Sequence, residues 1–148
     1  MILNGENVTS LLRTEETGKM ASKTSKYAAV RTKLVALQRG LAKKTDVIMD
    51  GRDIGTTVLP DAFAKIYLTA SSDARAKRRY DELKEKGENC SFDAIKEDIE
   101  KRDYEDMHRA ISPLKQADDA VLVDTSDMNI EQVVAALSKI IDEKKAGR

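Results

Sequence analysis

The run Val47-Ile48-Met49-Asp50-Gly51-Arg52-Asp53-Ile54-Gly55-Thr56 takes a short apolar stretch to an acid and a glycine, then sets a guanidinium beside a carboxylate. Burying an Arg-Asp pair at the end of an apolar strand is costly and not obviously stabilising. In open α/β sheets, ligands bind at the carboxyl ends of the strands. The run therefore reads as a strand that points the cation of Arg52 and the carboxylate of Asp53 at a polar ligand. A buried structural ion pair is the competing account. Asp50 either positions a magnesium-bound water or caps a helix.

The segment from Phe92 to about Arg109 carries the sharpest signal. Ile95, Ile99, Arg102, Asp106 and Arg109 recur three and four residues apart, a spacing that puts them on one stripe of a helix. The stripe turns from aliphatic to Arg-Asp-Arg partway along. Two guanidinium forks can clamp a phosphate, with Asp106 orienting a hydroxyl or an arginine. A solvated face with an intrahelical ion pair, worth roughly a few tenths of a kcal/mol, has the same spacing. A second cluster, Arg75, Arg78 and Arg79, places Arg75 and Arg79 on one helical face. It is either a solvated basic helix or a lid that brings cations to a polyphosphate. Ser22 and Arg31 carry no signal by themselves. His108 falls beside the charged stripe and reads as solvent-facing, and Cys90 as a loop residue. Asp124-Thr125-Ser126 either touches a base or caps the last helix.

The elements that must position these groups follow from periodicity. Asn4-Gly5 is a strong hairpin turn signal, yet only three residues precede it, so it is a stub edge or its first strand lies upstream. Tyr27, Val30, Leu34, Leu37 and Leu41 form one apolar stripe in a helical stretch from Thr14 to about Lys44. Val47 to Met49 reads as a buried strand, Pro60-Asp61 as a turn, and Lys65 to Ala70 as a second strand. Ser71 or Ser72 caps the next helix, which stops at Gly87. Ser91 caps the charged helix and Pro113 ends that region. Ala120 to Thr125 is a third strand, and Asp127 or Asn129 starts a last helix. Alternating strands and helices imply an α/β fold with a thin parallel sheet.

Composition removes whole classes of function. The chain has 148 residues, 41% hydrophobic and 35% charged, which suits one globular domain with a core of its own. Lysine and arginine number 26, as do aspartate and glutamate, so no global field draws nucleic acid and any anion site must be local. With no tryptophan and 4% aromatics, a base-stacking platform is disfavoured. Cys90 and His108 stand alone in their types, which excludes an intrachain disulfide and disfavours a catalytic triad or histidine zinc site. No apolar run is long enough to span a membrane, and no signal peptide is visible; a reducing cytoplasmic setting is expected.

Taken in order, the motifs resemble those of bacterial cytidylate kinases, members of the P-loop nucleoside monophosphate kinases. The resemblance runs through Asp50-Gly51-Arg52-Asp53-Ile54-Gly55-Thr56 to Ala62, then Lys65 to Ser71 and Arg75-Ala76-Lys77-Arg78-Arg79. It continues through Ile99-Glu100-Lys101-Arg102-Asp103 to Arg109, then Pro113-Leu114 and Ala117-Asp118-Asp119-Ala120. Upstream, Arg13-Thr14-Glu15, Ala21-Ser22, Val30-Arg31 and Leu37-Gln38-Arg39 match the family's nucleotide-binding insertion. The resemblance implies transfer of the ATP γ-phosphoryl group to CMP or dCMP, with magnesium. It implies that Ser22, Arg31 and Asp53 hold the cytosine or sugar end, with Asp106 on the sugar side. Arg52, Arg102 and Arg109 would bind the CMP phosphate and the transferring group, while Arg75 and Arg79 would begin the ATP-side lid. Residues 1–45 would be the remainder of the insertion, and 46–148 the core, with a lid at about 75–113.

One departure matters. The family's initial strand, its Walker-type phosphate loop and the following helix have no counterpart, and no Gly-x-x-x-x-Gly-Lys-Ser/Thr run occurs. Without that cradle for the ATP phosphates, an N-terminally truncated fold with negligible kinase activity and weak or no CMP binding is expected of the chain alone. A non-catalytic nucleotide-binding or scaffold remnant, and one half of a split kinase, are the alternatives. The expected partners are CMP, dCMP and ATP, without nucleic acid or membrane. The full enzyme is expected to be a monomer, while the truncated chain could pair through an exposed sheet edge.

Overall fold

A computed structural model describes residues 1–12 and 14–147. Arg13, the first residue of the Arg13-Thr14-Glu15 motif, lies outside the described residues. The chain divides into two compact units, Met1–Ile48 and Met49–Arg148.

The first unit opens with a hairpin whose strands, β1 (Ile2–Leu3) and β2 (Glu6–Asn7), pair antiparallel with Ile2 opposite Asn7. Asn4 at φ +50° and Gly5 at φ +88° supply the turn, the left-handed pair that a two-residue hairpin demands. The stub therefore closes on itself. Two helices follow, α1 (Glu15–Thr24) and α2 (Ala28–Ala42), where periodicity predicts a single one. The break has a local cause. Thr24 Oγ1 donates to the carbonyl of Met20 at 3.0 Å and Ser25 Oγ to that of Ser22 at 2.9 Å. Such back-bonding competes with the helix ladder, and Tyr27 then turns to extended backbone. The apolar stripe of α2 remains on the surface, with Tyr27 67% and Leu37 58% exposed.

The second unit holds a two-stranded parallel sheet of β3 (Ile66–Thr69) and β4 (Val121–Asp124), in register from Ile66 opposite Val121 to Thr69 opposite Asp124. Around it lie α3 (Ser72–Glu85), α4 (Phe92–His108) and α5 (Ile130–Ala146). This α/β order agrees with the alternation in the sequence. The expected strand at Val47 to Met49 does not form: the segment has no regular structure and Ile48 is fully exposed. A strand exists only where a neighbour satisfies its backbone groups, and among the described residues none pairs with 47–49. One element was not expected from the sequence, a π-helical turn over Ile54–Val58. There the Asp53 carbonyl accepts from Thr57 N–H at 2.8 Å and Val58 N–H at 3.2 Å, which buries Val58 and tucks Asp53 inward.

The helix ends follow the capping chemistry in the sequence. Ser71 Oγ accepts from Ala74 N–H and Ser91 Oγ from Ala94 N–H, at 3.1 and 3.5 Å. Asn129 and Gln132 form a reciprocal capping box on α5. Gly87, at φ +75°, lets the chain leave α3. Val58, Ala76 and Val123 form the buried apolar centre. Arg78, on α3, donates to the carbonyls of Thr125 and Met128, and so ties that helix to the end of β4. Among the described residues no helix is long and apolar enough to cross a membrane.

Because Ala76 is fully buried in α3, Ala76→Leu should lower unfolding free energy by about 1–3 kcal/mol through overpacking. Urea titration followed by circular dichroism checks this; an unchanged midpoint would show that the α3 packing has room to spare.

Candidate functional site

The charged groups of the second unit gather around α4. Asp106 is 7% exposed, and its carboxylate receives two arginines from different parts of the chain. Arg52, from the segment before the π-helical turn, donates Nε–H to Oδ2 at 2.8 Å. Arg109 brings Nη1 to 3.6 Å from Oδ1, an ion pair too long for a good hydrogen bond. Arg109 is anchored instead by Nε–H donating to the Ser112 carbonyl at 2.6 Å. Ser112 has φ +51°, unusual for a residue with a side chain, and this turn folds the carbonyl back toward Arg109. Leu114 N–H closes the same turn on the Asp106 carbonyl at 2.8 Å.

The Arg109 side chain is only 11% exposed, and its Nη2 is buried with no hydrogen-bond partner among the described residues. An unsatisfied buried donor costs about 1–3 kcal/mol, more when charged. Such a donor is open to an acceptor that the described residues do not supply. Asp53, which follows Arg52 in the chain, is 4% exposed, while the Arg52 side chain is 42% exposed.

A cleft of about 470 Å³ opens in this unit along β3; its charged lining includes Asp50, Arg52, Lys65, Arg75, Arg78 and Asp103. Arg75 is fixed there by three bonds. Its Nε–H donates to the Ala70 carbonyl at 3.1 Å, and Nη1 and Nη2 meet Asp103 Oδ1 and Oδ2 at 3.0 and 2.5 Å. This bidentate pair holds the Arg75 guanidinium above its ordinary pKa, chiefly through the hydrogen bonds to Asp103. Lys65 reaches Asp119 at 2.7 Å and draws that carboxyl below its usual range.

Of the residues singled out in the sequence, Arg52, Asp106 and Arg109 come together, with Asp53 adjacent. Arg102 does not join them: it is exposed, and the buried stripe of α4 passes through Asp103 instead. A helix advances about 100° per residue, so positions three and four after Ile99 flank the same line; the Arg75 pairing draws Asp103 inward. Arg79 is half-buried and pairs with Glu82 at 2.9 Å. Ser22 and Arg31 belong to the first unit, both half-buried, Ser22 on α1 and Arg31 on the first turn of α2. Asp124 accepts from the Ser126 backbone N–H and hydroxyl at 2.9 and 2.6 Å, leaving Asn129 to cap α5. His108 is exposed and stacks on Tyr104 at 4.0 Å.

Asp103 and Lys65 carry no site role in the sequence motifs, whereas Arg78, a member of the basic cluster there, ties α3 to the end of β4. A signal for Asp103 was present in the carboxylate pair Asp103/Asp106, one helical turn apart. Nothing in the local sequence marks Lys65, whose partner lies 54 residues away.

The sequence profile of the family described as cytidylate kinase matches residues 1–143. The cytidylate kinase of Lactobacillus johnsonii is 52% identical over 143 residues, covering 97% of this chain and 62% of that protein. That of Thermosipho melanesiensis is 47% identical over 142 residues, 96% of this chain and 65% of its own length. That of Bacteroides thetaiotaomicron is 49% identical over 137 residues, 93% and 60% respectively. The chain thus spans about three fifths of the length of the curated relatives it matches. With this match over nearly its whole length, the chain belongs to the cytidylate kinase family.

Proposed function

We propose that this chain supplies the acceptor side of a kinase that moves the ATP γ-phosphoryl group onto CMP or dCMP, giving CDP or dCDP. The observation that carries the reading is the orphaned Nη2 of Arg109 beside the Arg52–Asp106 pair. A phosphate monoester satisfies that donor and draws on the guanidinium of Arg52, while Asp106 keeps the two like charges together in its absence. Arg102, one turn earlier on α4, adds a further exposed cation for the transferring group. Ser22, Arg31 and Asp53 are assigned to the cytosine and sugar end. In this reading Asp106 serves the sugar side and also orients Arg52 and Arg109. Arg75 and Arg79 face the ATP phosphates as part of a lid over about 75–113, and residues 1–45 act as the nucleotide-binding insertion.

Phosphoryl transfer asks little covalent chemistry of a protein; positioning and stabilisation of charge on the equatorial oxygens do most of the work. Converging arginines meet that need. Magnesium would neutralise charge between the donor phosphates. Asp50, exposed and lining the cleft, is the carboxylate that would position a magnesium-bound water, since magnesium is commonly held by one or two carboxylates and substrate phosphates. A cytoplasmic setting, with nucleotides rather than nucleic acid or membrane as partners, belongs to the same reading.

In the full enzyme, Arg109→Ala should lower CMP-dependent CDP formation about 100-fold or more, and Arg109→Lys should not restore it, because the fork is lost. Circular dichroism should show the fold retained; normal turnover in a folded Arg109→Ala protein would overturn the assignment. Separately, Asp106→Ala strands the buried Arg109 without its counter-charge and should destabilise the chain by about 3 kcal/mol in urea titration. Asp106→Asn, which keeps an acceptor for Arg52, should cost less.

A further inference from the structure

Asp103 has no role in the acceptor site, yet it is the better buried half of the most tightly bonded ion pair in the second unit. Its side chain is 17% exposed against 35% for Arg75, and both oxygens are engaged. A guanidinium carries five N–H donors. Three of those on Arg75 are taken, one by Ala70 and two by Asp103. Two remain uncommitted on a side chain that lines the cleft at the end of β3. Arg75 is therefore held in one rotamer by fixed partners, with donors left over.

Asp103 and Asp106 sit three residues apart on α4. One helix turn thus fixes Arg75 relative to Arg52 and Arg109, across about 4.5 Å of helix rise. We propose that Asp103 is a positioning residue: it presents Arg75 to the cleft as a second phosphate-binding cation, at a distance from the Arg52–Arg109 pair that α4 sets. The proposal rests on the reading that Arg75 faces the donor phosphates. It differs from a structural salt bridge in the sign of one effect. A carboxylate beside an anion site repels the anion, so neutralising Asp103 should tighten binding if charge alone mattered. If Asp103 acts by holding Arg75, neutralising it should weaken binding.

The test is titration of the chain with inorganic pyrophosphate, without metal, by isothermal calorimetry, with thermal melts run in parallel. Arg75→Ala and Asp103→Asn should each weaken binding by about fivefold or more, and the double variant should bind no more weakly than Arg75→Ala, since one residue acts through the other. Asp103→Glu, which keeps the carboxylate, should recover most of the affinity; it also serves if Asp103→Asn folds poorly. In the full enzyme, CMP affinity should fall with Arg109→Ala and be indifferent to Asp103→Asn, so failure of the acceptor-site reading would be seen separately. Unchanged or tighter pyrophosphate binding in Asp103→Asn, additive losses in the double variant, or no millimolar binding by the parent chain would each overturn the proposal.

Discussion

The second unit is organised around a carboxylate that two arginines share. A buried charge is tolerated only when it is paired and hydrogen-bonded, and Asp106, at 7% exposure, meets that condition by drawing in Arg52 from 54 residues upstream and Arg109 from the turn below it. The Asp106 carbonyl is engaged as well, by Leu114 N–H. The segment leading to the π-helical turn, the last turn of α4 and the 109–114 turn are thus gathered on one residue. Arg109 gains an ion pair but not full satisfaction: its Nη2 has no hydrogen-bond partner among the described residues.

The same logic recurs one turn earlier on α4. Asp103 grips Arg75 from α3, so the packing of the two helices is also the relative placement of two basic groups. The local chemistry that starts and stops these helices matters for this reason. The Ser71 and Ser91 caps and the left-handed Gly87 set where α3 and α4 begin and how the chain passes between them. A slip of one residue in α4 would turn Asp103 and Asp106 by about 100° and break both pairs; a slip in α3 would break the Arg75–Asp103 pair.

The sequence disclosed those features whose cause is local. The Ser91 cap, the stop at Gly87, the Asn4-Gly5 turn, and strands β3 and β4 could be read from residue type and spacing; for the other two caps the spacing left Ser71 or Ser72 and Asp127 or Asn129, and the structure uses Ser71 and Asn129. Features that depend on partners elsewhere could not. Val47 to Met49 has strand composition but no neighbour to pair with among the described residues. The break between α1 and α2 arises from hydroxyls that look like ordinary helix residues in a periodicity count. On α4, spacing alone could not decide whether Arg102 or Asp103 faces inward, because both flank the line from Ile99; the bond to Arg75 decides it. Arg52, Asp53, Asp106 and Arg109 were legible because charge at the end of an apolar stretch, or on the apolar stripe of a helix, needs a reason to be there.

In the proposed function Arg52 and Arg109, set by Asp106, form the binding site for the acceptor phosphate. A crystal structure of the native polypeptide with CMP tests it most directly. CMP phosphate oxygens should lie within about 2.7–3.2 Å of guanidinium nitrogens of both Arg52 and Arg109, with Nη2 of Arg109 among them. A CMP phosphate bound elsewhere, with Arg109 still contacting only Asp106 and Ser112, would contradict it.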